Sequence, residues 1–380
     1  MTAHLTYLES GVVGLIQGVS EMFPISSLGH NVLIPAIVGG SWARDLDVAS
    51  PESPYLAFIV GLHVATAIAL LIYFWRDWVR IVGGFFSSLR DLSVETADQK
   101  LAWMIILATI PVGIVGVAFE HTFRVLFAKP ILAGVFLMVN GLILLAGERY
   151  RTRASLAADA AIAAARAPAA PQSALRESAL GESALREREP VTQGPAVPEH
   201  APAVPLPGMA GPGMPETTVR APLPGAEAPW RHARGQPARA AELADARQAD
   251  RRLASMGYAQ AAIIGSAQIL ALLAGISRDG VTIVTGLARG LSRQDAARFA
   301  FLLATPVILA AGALKIPDLL GPLGNGIRGQ ILLGSVLSGV GAYLSVRFLL
   351  RYLRTRTLTP FGVYCLIAGL ASVIYLGLVR

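Results

Sequence analysis

Gln17-Gly-Val-Ser-Glu21-Met-Phe-Pro-Ile-Ser26-Ser27-Leu-Gly29-His30 is a polar stretch inside apolar sequence. Residues 5–40 are apolar around it, yet Pro24, two serines and Gly29 fall where a membrane-spanning helix needs continuity. Glu21 would be costly against lipid. Non-helical backbone at membrane depth is tolerated only where it is buried in protein or lines a polar cavity. The stretch therefore predicts two short half-helices joined by a turn, a re-entrant hairpin. A single kinked spanning helix is the alternative.

A second stretch answers the first 251 residues later, Gln268-Ile-Leu-Ala-Leu-Leu-Ala-Gly275-Ile-Ser277-Arg278-Asp279-Gly280. At that offset Gln17 meets Gln268, Ile25 meets Ile276, Ser26 meets Ser277 and Gly29 meets Gly280. Each stretch opens a similar series of apolar runs, at about 54–74, 101–119 and 130–147 in the first half and 296–314, 329–350 and 360–379 in the second. Each is long enough for a hydrocarbon core of about 30 Å. The expected fold is an all-α integral membrane protein in which each half supplies one re-entrant helical hairpin plus three transmembrane helices. Three spans is an odd number, so the second half starts on the opposite side, which gives an inverted-topology repeat with the two hairpin tips meeting near the midplane.

Bulk composition agrees. The chain is 54% hydrophobic and 15% charged, with a mean hydropathy of +0.55, whereas soluble domains carry nearer a quarter charged residues. One cysteine, Cys365, excludes a disulfide within the chain. A pI near 9.8 is read as the arginine excess of cytoplasmic loops and not as a nucleic-acid surface. Nothing at the N-terminus resembles a cleavable signal.

The predicted organisation is a first membrane repeat at 1–147, an insert at 148–254 and a second repeat at 255–380. The insert is rich in Ala, Pro, Arg and Glu, with a small repeat from Ser173 to Glu187 and a proline-rich tract near 195–224. It has too few large apolar side chains to offset ordering entropy and reads as disordered; a regulatory docking segment is the alternative. One side of the membrane carries Arg44, Arg124, Lys129, Lys315, Arg328 and Arg380. The other carries Arg76, Arg80, Arg90, Lys100, Arg289, Arg293, Arg298, Arg347, Arg351, Arg354 and Arg356, before the insert adds its own. The richer side is expected to be cytoplasmic, with both termini and the mouth of the first hairpin outside.

Gln17 and Glu21 share a helix face at i, i+4. Ser26, Ser27, Gly29 and His30 open the next half-helix, where serine caps free N–H groups, glycine admits a ligand to the backbone and the N-terminus favours an anion. His30 lies three residues after Ser27 and is placed to act as base or proton donor to a Ser27 nucleophile. In the second stretch Gly275, Ser277 and Gly280 repeat the turn, Arg278 adds a guanidinium fork suited to phosphate oxygens, and Thr282 adds a hydroxyl. Asp279 reads equally as the charge partner of Arg278 and as a catalytic or metal residue. His63 and His121 read as packing or interfacial residues, and Arg289, Arg293 and Arg298 as facing headgroups or solvent. This set suits phosphoryl chemistry on an anion that reaches membrane depth, and a lipid phosphate is the natural substrate.

At these residues the sequence resembles the bacterial undecaprenyl-diphosphate phosphatases, also called bacitracin-resistance proteins. Their first motif, (Glu/Gln)-x-x-x-Glu then Pro-x-Ser-Ser-x-Gly-His, matches Gln17 to His30 throughout. Their second, roughly Pro-Gly-x-Ser-Arg-Ser-Gly-x-Thr, matches Ala274 to Thr282 except for Ala274 and Asp279. The resemblance extends through Ala108–Gly113 and Phe301–Pro306 and covers both membrane halves but not the insert, which typical members lack. It implies hydrolysis of undecaprenyl diphosphate to undecaprenyl phosphate and inorganic phosphate, recycling the lipid carrier of cell-wall synthesis, and resistance to bacitracin. It implies that Glu21, Ser27, His30 and Arg278 are essential: Ser27 as nucleophile or as the group that orients water, Arg278 as diphosphate clamp, Glu21 as acid/base or divalent-metal contact. Gln17, Ser26, Gly29, Gly275, Ser277, Asp279, Gly280 and Thr282 would line the substrate site. A divalent cation, Mg²⁺ or Ca²⁺, would be held largely by the substrate's diphosphate. A bacterial inner-membrane location and a polyprenyl diphosphate substrate follow, and no nucleic acid. A lipid-carrier flippase or transporter is the rival, since paired re-entrant elements in inverted repeats are also transporter architecture.

Overall fold

The structure is a computed structural model that describes residues 5–46, 54–119, 122, 129–166, 236–320 and 326–379. Among these residues every regular element is helical. Residues Met1–Leu156 and Ala241–Arg380 form one compact unit, and Ala157–Ala240 a second.

Local chemistry sets where helices start. Thr6 begins α1 (Tyr7–Met22) with a capping box, its hydroxyl accepting from the Glu9 amide while the Glu9 carboxylate accepts from the Thr6 amide. The helix stops at Phe23, which is extended ahead of Pro24 because a proline excludes the α conformation from the residue before it. Ser26 then caps α2 (Ser27–Val38), and a short α3 (Gly40–Asp45) follows. The first half continues with α4 (Pro54–Tyr73), α5 (Trp75–Asp91), α6 (Ala97–Ala118) and α7 (Pro130–Arg166). The second half has α8 (Gln236–Ala254), α9 (Tyr258–Ser266) running into a 3₁₀ turn (Ala267–Leu272), α10 (Arg278–Ala288), α11 (Arg293–Leu320), α12 (Arg328–Tyr352) and α13 (Thr359–Val379).

Among the described residues five helical segments are long and apolar enough to cross a membrane: Ala97–Ala118, Pro130–Ala154, Arg293–Leu314, Arg328–Tyr352 and Thr359–Leu378. A sixth is available if Phe58–Tyr73 and Trp75–Asp91, bent by 85° at Phe74, count as one span. These segments match the predicted apolar runs. Their outer faces carry large apolar side chains such as Ile114, Val117, Leu332, Ile367 and Leu378, while small and polar residues such as Gly334, Ser338, Gly341 and Ser345 face inward. That polarity is what lipid demands, because helices in a membrane associate through close packing and not through hydrophobic exclusion.

Packing is reciprocal between the halves. α1 of the first half lies along α12 of the second, with Ser10 against Gln330 and Gly18 against Ser338; α9 of the second half lies along α6 of the first, with Gly265 against Ala108. Likewise α2 meets α13, and α10 meets α7 where Val284 touches Gly147. The α7–α13 pair closes through Gly141 on Gly362 and Gly134 on Gly369.

Two expectations need correction. The insert was expected to be disordered from 148 to 254, yet α7 continues past 148 to Arg166 and α8 covers 236–254; residues 167–235 lie outside the described residues. Alanine, arginine and glutamate are strong helix formers, and α8 is also tied down by charge. Buried Asp250 accepts from Arg80 and Arg298, Arg252 pairs with Asp295, and Asp245 with Arg354. The Asp295 carboxylate holds the Arg252 guanidinium above its usual range. Nor do Arg293 and Arg298 face headgroups: Arg293 pairs with Glu148, and buried Arg298 with Asp77 and Asp250. Asp295, close to both in sequence, pairs with Arg252, and the two arginines take carboxylates on other helices.

A Cβ at Gly18 would sit 2.9 Å from the Ser338 Cα, so Gly18→Leu should destabilise by about 1–3 kcal/mol, the usual cost of overpacking. Gly83→Ala, which meets nothing within 4 Å, should be neutral or slightly stabilising. Thermal unfolding in detergent separates the two.

Candidate active site

The loop between α1 and α2, residues 23–26, and the loop before α10, residues 273–277, meet inside the unit. Two symmetric caps build the meeting point. The Ser26 hydroxyl accepts from the Gly29 amide at 3.2 Å, and the Ser277 hydroxyl from the Gly280 amide at 3.1 Å. Ser26 also reaches across, accepting from the Gly275 amide at 3.2 Å. Its φ of +68° and that of Gly275, +110°, turn the chain sharply. Glycine tolerates that conformation; serine adopts it at a cost of about 1–3 kcal/mol. A Cβ on Gly29 would lie 2.8 Å from the Gly275 Cα, so the two glycines permit contact between backbones.

Glu21, at the end of α1 and 8% exposed, is the hub. Its Oε1 accepts from the Arg278 guanidinium at 2.9 Å. Its Oε2 accepts from Gln17 Nε2 at 2.9 Å and from the Ser27 hydroxyl. Gln17 is itself held by Asn31, whose Nδ2 donates to Gln17 Oε1 at 2.6 Å. Arg278 Nε lies 3.4 Å from Asp279 Oδ1, while the buried Asp279 Oδ2 has no partner among the described residues. The Thr282 hydroxyl donates to the Arg278 carbonyl at 2.7 Å, which leaves its oxygen as an acceptor inside the helix and not as a free contact. Gln17, Glu21, Ser26, Ser27, Gly29, Gly275, Ser277, Arg278, Asp279 and Gly280 thus sit around one junction.

The expected Ser27–His30 pair is not formed. His30 Nδ1 lies 2.7 Å from the Ser26 carbonyl, which can only accept, so Nδ1 carries a proton. His30 Nε2 is 2.7 Å from the Tyr364 hydroxyl on α13, with the two rings stacked. Spacing put His30 on the Ser27 face; the α2–α13 contact turned its ring elsewhere. His63, expected to pack, instead brings Nε2 within 3.4 Å of Glu21 Oε2, while its Nδ1 bonds the Ile59 carbonyl at 2.9 Å. A ring that donates from Nδ1 faces a carboxylate favourably through Nε2 only when both nitrogens are protonated. His121 lies outside the described residues.

Asn140 on α7 also escaped the sequence reading. Fully buried, it donates to the Pro24 carbonyl at 2.9 Å and accepts from the Ser277 amide at 3.0 Å. A lone asparagine inside an apolar run was the available signal, since a polar group at membrane depth needs a partner.

For a divalent cation the protein groups alone do not fit. Both Glu21 oxygens are already engaged, and among the described residues no three His, Cys, Asp or Glu side chains cluster as metal ligands.

Ser26→Ala removes the acceptor for two amides and keeps the strained φ, whereas Ser26→Gly removes the acceptor and relieves the strain. The alanine variant should therefore be less stable than the glycine variant by about 1 kcal/mol, and thermal unfolding should show it melting at the lower temperature.

Comparison with known proteins gives the family. The profile of the family described as bacitracin resistance protein BacA matches residues 10–168 and 237–371. An undecaprenyl-diphosphatase of Mycolicibacterium paratuberculosis is 50% identical over 378 residues, covering 100% of both chains. Undecaprenyl-diphosphatase 2 of Frankia alni is 51% identical over 369 residues, 96% of each. A more distant relative, undecaprenyl-diphosphatase 2 of Chromobacterium violaceum, is 33% identical over 97% of this chain and 98% of its own length. The full-length matches run through the insert as well, so it is not peculiar to this chain. With its two junction stretches inside the matched residues, the chain belongs to the bacitracin resistance protein BacA family.

Proposed function

We infer that this protein is a membrane-embedded undecaprenyl-diphosphate phosphatase, which cleaves the phosphoric anhydride of undecaprenyl diphosphate with water to give undecaprenyl phosphate and inorganic phosphate. The reading accounts for the family's link to bacitracin resistance, because hydrolysis removes the diphosphate that the antibiotic sequesters. One observation carries it to the residues: a single buried carboxylate, Glu21, holds the Ser27 hydroxyl on one oxygen and the Arg278 guanidinium on the other.

In this mechanism the diphosphate displaces the carboxylate from Arg278, whose fork grips its oxygens. Glu21 takes the Ser27 proton, and Ser27 Oγ attacks the terminal phosphorus. The bond to the bridging oxygen breaks and undecaprenyl phosphate leaves. Glu21 passes that proton to the departing phosphate oxygen. Water, deprotonated by the regenerated carboxylate, then attacks the phosphorus on Ser27. The Oγ–P bond breaks, and Glu21 returns the proton to Ser27 as phosphate leaves. Gln17 and Asn31 fix the carboxylate's direction. His30, with both ring nitrogens engaged by the Ser26 carbonyl and the Tyr364 hydroxyl, holds the start of α2 against α13 and so keeps Ser27 in place. The backbone amides at the starts of α2 and α10 complete an anion-binding surface. A divalent cation, Mg²⁺ or Ca²⁺, would arrive with the diphosphate and would neutralise part of its charge.

The reciprocal helix pairing supports an inverted-topology repeat of 1–147 and 255–380, each half a re-entrant hairpin and three spans. The arginine asymmetry supports a plasma-membrane protein with both termini outside and the insert in the cytoplasm. The same pairing is compatible with lipid-carrier translocation, so the test has two arms.

Purified full-length protein in detergent should release phosphate from the C55 diphosphate. Arg278→Ala should lower kcat by about 10²–10³-fold, as loss of a charge-stabilising donor does, and Ser27→Ala and Glu21→Gln by at least as much. Unchanged turnover in Arg278→Ala would refute the site. Movement of the lipid across vesicles without phosphate release would favour the translocase. Chelator should reduce turnover without lowering the melting temperature of substrate-free protein; a lowered melting temperature would place the cation on the protein.

A further inference from the structure

Nothing in the two family motifs assigns a role to Asn140, yet its side chain bonds both turns from outside them. We propose that Asn140 is a positioning residue that fixes the register between the two turns and thereby sets Ser27 and Glu21 against Arg278. Its kinetic consequence rests on the phosphatase reading above; its structural consequence does not.

A side-chain amide carries a donor and an acceptor at opposite corners, and Asn140 uses both across the junction. Nδ2 donates to the Pro24 carbonyl at 2.9 Å, in the turn that precedes Ser27 by three residues. Oδ1 accepts from the Ser277 amide at 3.0 Å, next to Arg278. Nδ2 also lies 3.3 Å from the Cys365 sulfur on α13. The fit is close, since a Cβ on Gly280 would come 3.3 Å from Oδ1. Between the turns themselves, the Gly275 amide donates to the Ser26 hydroxyl, and Ser26 is held at a φ of +68°. A strained turn persists only where its surroundings over-determine it. Asn140 supplies that from a third helix, α7, which belongs to neither turn.

Asn140 is fully buried and therefore does not meet the substrate. Its loss should leave binding largely intact and disturb alignment, where an error of about 1 Å costs about 10²-fold. Leucine keeps the volume and removes both bonds, leaving a buried carbonyl and a buried amide unpaired. Aspartate keeps the acceptor for Ser277 but turns a second oxygen toward the Pro24 carbonyl.

The test uses full-length protein in detergent, assayed below the melting temperature of each variant. Asn140→Leu and Asn140→Asp should lower kcat at least 10-fold with KM within threefold of the parent. Independently of activity, spin labels at Val38→Cys on α2 and Ala288→Cys on α10 report the register of the turns by pulsed electron resonance; Cys365 is buried. The parent should give a narrow distance distribution, and both Asn140 variants a broadened or shifted one. A lowered melting temperature with unchanged kcat, or an unchanged distance distribution in both variants, would overturn the proposal. A broadened distribution together with a fully active Arg278→Ala would leave the junction standing and remove the phosphatase site.

Discussion

A carboxylate withdrawn from water costs several kcal/mol unless cations and hydrogen-bond donors meet it in good geometry. Glu21 is such a group, and most of what surrounds it comes from elsewhere in the chain. Gln17 shares its helix; Ser27 lies beyond the proline that ends that helix; His63 comes from α4 and Arg278 from the other half. The end of α1 therefore cannot be placed without α10, nor α10 without the end of α1. That mutual need makes one site of two stretches separated by 257 residues between Glu21 and Arg278.

The helices around the pair meet it with small residues. α1 comes against α12 at Gly14 and Gly18, α9 against α6 at Gly265, and α7 against α13 at Gly141 and Gly134. In lipid, hydrophobic exclusion does not press helices together, so backbone approach and interhelical hydrogen bonds must do it. Ser338, which donates to the Leu62 carbonyl at 3.2 Å, and Asn140 are such bonds. At the end of the unit that holds α8, ion pairs replace them. Asp250 gathers Arg80 and Arg298, and Glu148 takes Arg293 and the Leu358 amide. Burial of these charges is tolerable because each carboxylate has two partners.

Much of this was legible residue by residue. Pro24 marks the end of α1, and the serines that cap α2 and α10 stand at matching places in both stretches. Apolar run lengths located the spans within a few residues. Where the reading failed, the cause was a contact distant in sequence. His30 sits on the expected helix, but Tyr364 takes its ring away from Ser27. His63 looked like a packing residue because Glu21 is 42 residues away in the chain, and only the α1–α4 contact joins them. The ends of the insert read as disordered by composition, yet the same alanine and arginine content makes good helix once Asp250 and Arg252 find partners.

By itself the sequence determined a helical membrane chain, its two matching polar turns and the side chains available to bind and transfer a phosphoryl group. These follow from local rules: run length, proline and serine at helix boundaries, and the cost of bare charge in lipid. Which side chains meet was decided only by the tertiary structure. Glu21 takes both Ser27 and Arg278, Asn140 joins Pro24 to Ser277, and His30 turns to Tyr364 because helix crossings bring those atoms within hydrogen-bonding distance. Contact of that kind depends on the relative placement of several helices at once, and no spacing within one segment contains it.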